Sequence, residues 1–79
     1  MKELIKQLTQ IPGPSGYESA IRETIREIIK PYVRETRVDA MGNLIAQVGT
    51  KAPGGMRVMV AAHMDEIGLI VSHIEKKGL

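Results

Sequence analysis

The chain has 79 residues, 43% of them hydrophobic, with 11 Lys+Arg against 9 Asp+Glu and a net charge of +2. That is one small domain at most, or a piece of a larger one. With no cysteine and only two histidines, neither disulfides nor a four-ligand structural zinc site can brace it.

Basic residues interspersed with acidic ones, and only two aromatics, Tyr17 and Tyr32, leave no electrostatic footprint or stacking platform for nucleic acid. No apolar run approaches the ~20 residues of a membrane span. The N-terminal stretch is amphipathic and has no continuous apolar signal-peptide core. The expectation is a cytoplasmic, soluble protein with no nucleic-acid or membrane partner.

Leu4, Ile5, Leu8 and Ile11 recur at helical spacing, with Lys2, Glu3, Lys6 and Gln7 on the other face. This short helix must stop near Ile11, because Pro12 and Pro14 remove backbone donors and push the residue before each out of the α region. Ser15-Gly16-Tyr17-Glu18 fits a Ser-x-x-Glu capping box, which predicts the start of a second helix there. Its apolar stripe is Ile21, Ile25, Ile28, Ile29 and Tyr32, with Glu18 and Arg22, and Glu23 and Arg26, placed as charge pairs on the solvent side. Pro31 ends or kinks it.

From Glu35 the period shortens to two. Thr36, Val38 and Ala40 alternate with Arg37 and Asp39, and beyond Met41-Gly42-Asn43 the residues Leu44, Ala46 and Val48 alternate with Ile45 and Gln47, predicting a hairpin. Residues 49–55 read as a loop. Residues 58–62 are apolar without alternation, as an interior strand covered on both faces requires. Residues 67–74 read as a fourth strand and residues 75–78 as a turn. The expected class is α/β: two helices followed by about four strands of a mixed sheet, with helices and sheet sharing a core. A chain ending just after a turn signal is expected to be an N-terminal segment cut in mid-fold.

The polar cluster His63-Met64-Asp65-Glu66 follows the most apolar strand, where ligand sites of open α/β sheets lie. In extended backbone His63 and Asp65 share a face. A metal-bound imidazole donates its other ring proton to a carboxylate, which fixes the tautomer and orientation, so Asp65 could support His63. Asp65 could instead bind a metal directly, or His63 could simply end a strand while Asp65 caps a turn. Asp65 and Glu66 diverge and make a poor acid/base pair, since glycosidases hold two facing carboxylates about 5–10 Å apart. His73 has no acidic residue two positions away and reads as structural or exposed; Ser72 beside it faces the other side, so the two are not a nucleophile and base.

Three stretches together carry a resemblance: Gly13-Pro14-Ser15-Gly16-Tyr17-Glu18, Val38-Asp39-Ala40-Met41-Gly42-Asn43-Leu44, and Val58-Met59-Val60-Ala61-Ala62-His63-Met64-Asp65-Glu66-Ile67-Gly68. In this order and spacing the sequence resembles the dinuclear metal aminopeptidases of the tetrahedral-aminopeptidase type, also called glutamyl or deblocking aminopeptidases. The resemblance implies a three-layer metallopeptidase fold of which residues 1–79 are the N-terminal part of the catalytic domain. It implies removal of N-terminal residues from peptide substrates by water activated between two divalent ions, zinc or cobalt, and homo-oligomers from dimers to dodecamers. His63 takes the place of a ligand to one ion and Asp65 that of the carboxylate orienting it, while Glu66 is not a ligand. The remaining ligands, the general base and a dimerisation domain come later in the family's chain, so these 79 residues alone are expected to be inactive. The alternatives are a non-catalytic α/β binding or assembly module and a glycan hydrolase, the endoglucanase label that some such proteins carry.

Overall fold

The computed structural model describes residues 1–50 and 53–78. Helix α1 spans Lys2–Thr9 and helix α2 spans Ser19–Ile29, followed by a 3-10 turn at Lys30–Tyr32. Strands β1 (Glu35–Val38) and β2 (Leu44–Gln47) form an antiparallel hairpin in which Glu35 pairs with Gln47 and Val38 with Leu44. Among the described residues no helix is long and apolar enough to cross a membrane.

The helices form where the apolar stripes predict them, and α1 ends as the first proline approaches. The capping box does not form. Ser15 and Gly16 are the central residues of a turn closed by a hydrogen bond from the Tyr17 N–H to the Pro14 carbonyl, 2.9 Å, with Gly16 at φ 86°. A glycine at positive φ in the third position is what a type II turn requires, and it removes Ser15 from the helix start. Glu18 becomes the N-cap, with no side-chain cap hydrogen bond.

Two other expectations on α2 also change. Arg22 turns away from Glu18 and donates instead to the Gly42 carbonyl, 3.1 Å, and to Ser19 Oγ, 3.3 Å, tying the helix to the hairpin turn. Tyr32 leaves the apolar stripe, since the tighter 3-10 geometry after Pro31 rotates it outward, and it is 77% exposed. The Glu23–Arg26 pair forms at 3.6 Å, and Arg26 Nε donates to Thr36 Oγ1 at 3.0 Å, joining α2 to β1.

The hairpin turn is held by Asp39. Its Oδ1 accepts from the backbone N–H groups of Met41 and Asn43, and its Oδ2 accepts from the Asn43 side-chain amide, at 2.9–3.0 Å. Gly42, at φ 87°, allows the chain to reverse.

The sheet is smaller than expected. Among the described residues it has two strands, not about four. Residues 58–62 and 67–74 form no ladder and lie open, with Val60 91% and Leu69 100% exposed. The pattern that marks an interior strand reports only that its side chains suit burial. Such a strand also needs neighbours on both edges and a layer on each face, and the described residues supply neither. An open crevice of about 640 Å³ is lined by hairpin residues such as Ile45 and Val48 and by Met56, Arg57, Val58 and Met59, with no pairing across it. The predicted loop at 49–55 includes two positions, 51 and 52, outside the described residues. The turn at residues 75–78 closes through a hydrogen bond from the Gly78 N–H to the Glu75 carbonyl, 2.9 Å.

Packing is concentrated around Ile21, the one hydrophobic side chain that is buried among the described residues. It faces Gly13, where an added Cβ would lie 2.7 Å from Ile21 Cγ2. The segment after His63 reaches this centre through a parallel bridge between Pro14 and Glu66, in which the Glu66 N–H donates to the Gly13 carbonyl at 2.9 Å. Gly68 then lies against Pro14, whose Cβ a new Cβ would meet at 2.7 Å. The radius of gyration, 17.1 Å, exceeds the about 12 Å of a compact domain of this length, because the open residues extend away from this centre.

Gly68→Ala in the complete protein therefore forces the 13–18 loop and the 66–68 segment apart. The expected loss is about 1–3 kcal/mol, the range for overpacking a tight contact, measured by denaturant unfolding. A variant as stable as the parent would show that the Pro14–Gly68 contact is not needed.

Candidate functional site

Three stretches of chain meet beside His63. A cavity of about 170 Å³ is lined by Glu18 from the start of α2, by Met41, Gly42, Asn43 and Leu44 from the hairpin, and by residues 62–65. The Pro14–Glu66 bridge and the Arg22–Gly42 hydrogen bond bring them together.

His63 and Asp65 are in contact, as their spacing predicts. His63 Nδ1 lies 3.1 Å from Asp65 Oδ1 and 3.1 Å from the Asp65 backbone oxygen. A carbonyl oxygen and a carboxylate oxygen are both acceptors, so Nδ1 must carry the hydrogen and donate it. In the neutral ring this leaves the lone pair on Nε2. The His63 side chain is 86% exposed, so the ring is open to solvent and not enclosed in the apolar centre.

Asp65 is held from its other side. Ser15 Oγ donates to Asp65 Oδ2, so each carboxylate oxygen receives one side-chain hydrogen bond. The Ser15 hydroxyl is the main reason the Asp65 carboxyl sits below its ordinary value of 3.8; partial desolvation opposes this, and the His63 hydrogen bond adds to it. Each oxygen of Asp65 thus makes a contact that holds a neighbour or the carboxylate in place, and nothing here supports a glycan hydrolase.

The donor set fits one position of a divalent ion. A neutral imidazole with its Nδ1–H on a carboxylate is the usual arrangement of a metal-binding histidine. Among the described residues no group of three His, Cys, Asp or Glu gathers to complete a site. His73 is exposed and outside this cluster.

Sequence reasoning paired His63 with Asp65 but did not join Ser15 to them, assigning it to a helix cap. The available signal was Pro14-Ser15-Gly16, a proline and a glycine around one residue, which is turn chemistry. The Asp39 clamp on the hairpin was missed for a similar reason: alternation described the strands and left the turn as punctuation.

Residues 42–79 match the family model of the M42 glutamyl aminopeptidases. Along almost its whole length the chain is also similar to proteins named as aminopeptidases. It is 48% identical over 77 residues to the lysyl aminopeptidase of Pyrococcus furiosus, covering 96% of this chain and 21% of that protein. It is 34% identical over 74 residues to the glutamyl aminopeptidase of Lactococcus lactis, covering 94% and 21%. The family match and these relatives together support the M42 glutamyl aminopeptidase family for this chain. A further relative, from Acetivibrio thermocellus and named among the aminopeptidases, is 53% identical over 78 residues, covering 99% of this chain and 23% of that protein. The chain thus spans between a fifth and a quarter of the length of these relatives. The M42 family match takes in Gly42, Asn43, His63 and Asp65, and Ser15 lies outside it.

The Asp39 clamp makes one wall of the cavity sensitive to acid. Hydrogen bonds from Asn43, side chain first and then backbone, hold the Asp39 carboxyl below 3.8. A group lowered on folding contributes stability above its unfolded value and loses it as the pH falls through its folded value. Amide protection factors at Met41 and Asn43 should therefore fall between about pH 5 and about pH 2. In Asp39→Ala they should be low throughout. Protection that does not change with pH in the parent would exclude the carboxylate clamp.

Proposed function

We propose that the complete protein is a metal-dependent aminopeptidase that removes N-terminal residues from peptides. Residues 1–79 form the N-terminal part of its catalytic domain. In this reading His63 is a ligand, through Nε2, to one of two divalent ions, zinc or cobalt, and Asp65 is the carboxylate that orients it. The observation that carries the reading is the Nδ1–H of His63 on Asp65, which leaves Nε2 as the free donor of a solvent-open ring in a chain of aminopeptidase kin.

Divalent ions at such a centre lower the pKa of water and supply a nucleophile at neutral pH. This chain's contribution is positional. Asp65 fixes the tautomer of His63 and limits its rotation, and the negative carboxylate makes the imidazole a better donor. One imidazole does not fill a coordination sphere that takes three or four protein ligands, so residues 1–79 alone bind metal weakly and hydrolyse no peptide. The residue preference in the names of the lysyl and glutamyl relatives belongs to those proteins. The complete protein acts in the cytoplasm as a homo-oligomer, between dimer and dodecamer.

The test is metal analysis of the complete protein. His63→Ala should lower the bound metal by about one ion per subunit and reduce kcat/KM by at least about 100-fold, the upper end for losing a group that only supports a ligand. Unchanged metal content with normal peptidase activity would remove His63 from the site.

A further inference from the structure

The loop before α2 places a hydroxyl on the far side of the carboxylate that serves His63. We infer that Ser15 is a positioning residue: by donating to Asp65 Oδ2 it holds the carboxylate so that Oδ1 receives the His63 Nδ1–H, which presents Nε2 to a divalent ion. This rests on the reading of His63 as a metal ligand.

Asp65 alone is a weak lock. The terminal torsion of an aspartate is broad and nearly two-fold, and a carboxylate whose side chain is 33% exposed can still exchange either oxygen with water. The His63 ring, 86% exposed, has little packing of its own to orient it. Its order must come from Asp65, and the order of Asp65 from whatever holds its second oxygen. Among the described residues Ser15 is the side chain that does so.

Ser15 is itself firmly placed. It lies inside the turn closed by Tyr17 N–H and Pro14 O, with Gly16 at φ 86° supplying the one conformation that needs a glycine. That turn is fixed to the 66–68 segment by the Glu66–Gly13 hydrogen bond and by Gly68 against Pro14. The Ser15 side chain is exposed, does not cap α2, and fills no part of the apolar centre. Its hydroxyl has one use here, and that use is Asp65.

The experiment uses the complete protein, stripped of metal and titrated with Co²⁺, with affinity read from the visible absorption of the bound ion against a competing chelator. Ser15→Thr keeps the hydroxyl and Ser15→Val has the same shape without it, so the pair separates hydrogen bonding from bulk. Ser15→Val should weaken one of the two Co²⁺ sites by about tenfold or more, while Ser15→Thr stays within about threefold of the parent, tenfold being the low end for loss of a partner behind a ligand. Asp65→Asn should weaken the same site. Equal affinities for the threonine and valine variants, whether both unchanged or both reduced, would overturn the role of the hydroxyl. His63→Ala separates the two ideas. If it abolishes the site while Ser15→Val does not weaken it, Ser15 alone is dismissed. If it leaves both Co²⁺ sites intact, the metal-ligand reading fails and the Ser15 inference with it.

Discussion

The arrangement around His63 depends on one backbone hydrogen bond, from the Glu66 N–H to the Gly13 carbonyl. It joins the loop before α2 to the segment after the hairpin, and it does so between main chains that must come very close. Glycine at 13 and at 68 makes that approach possible, because a Cβ at either position would lie 2.7 Å from a neighbour. Once the bridge is made, Ser15 stands over Asp65 and the cavity beside His63 acquires its wall from the start of α2. The hairpin wall is attached independently, through Arg22 on the Gly42 carbonyl. The three stretches that carry the family resemblance are therefore the three that touch at this site, which gives their joint presence a physical reason.

What could be read from the sequence was local. The helices follow from an apolar stripe at helical spacing, and the hairpin from alternation around a glycine turn, because each element satisfies its hydrogen bonds within a short span. The contact of His63 with Asp65 is equally local, two residues apart on one face. Ser15 was misread because a four-residue template for a helix cap also fits a turn that precedes the helix, and the choice between them is settled by Asp65, far along the chain. Tyr32 was misread because the stripe was extended through Pro31 into tighter geometry. Residues 58–62 and 67–74 show a different limit: apolar composition states a demand for burial and does not say what meets it.

That demand is large. Burying a valine or isoleucine side chain contributes about 1.5–3 kcal/mol, and residues such as Val58, Val60, Ile67 and Val71 are open. Within the described residues, stability comes from the two helices around Ile21, the hairpin, and the polar links between them. Several of those links end on backbone carbonyls, as with Arg22 on Gly42, so they depend on the path of the chain more than on the identity of a partner side chain.

Fifty residues separate Ser15 from Asp65, and that interval sets what the contact costs in chain entropy. Closing a loop of this length costs about 3–4 kcal/mol of chain entropy, whereas residues two apart meet at almost none. The imidazole and its carboxylate can find each other on a nascent strand, before any helix has docked. The hydroxyl contact closes across the helix pair and the hairpin, and on chain entropy alone it is the costlier of the two. The orientation of the His63 ring is thus coupled to the closing of that long loop: until it closes, Asp65 steadies the ring while itself held from one side only.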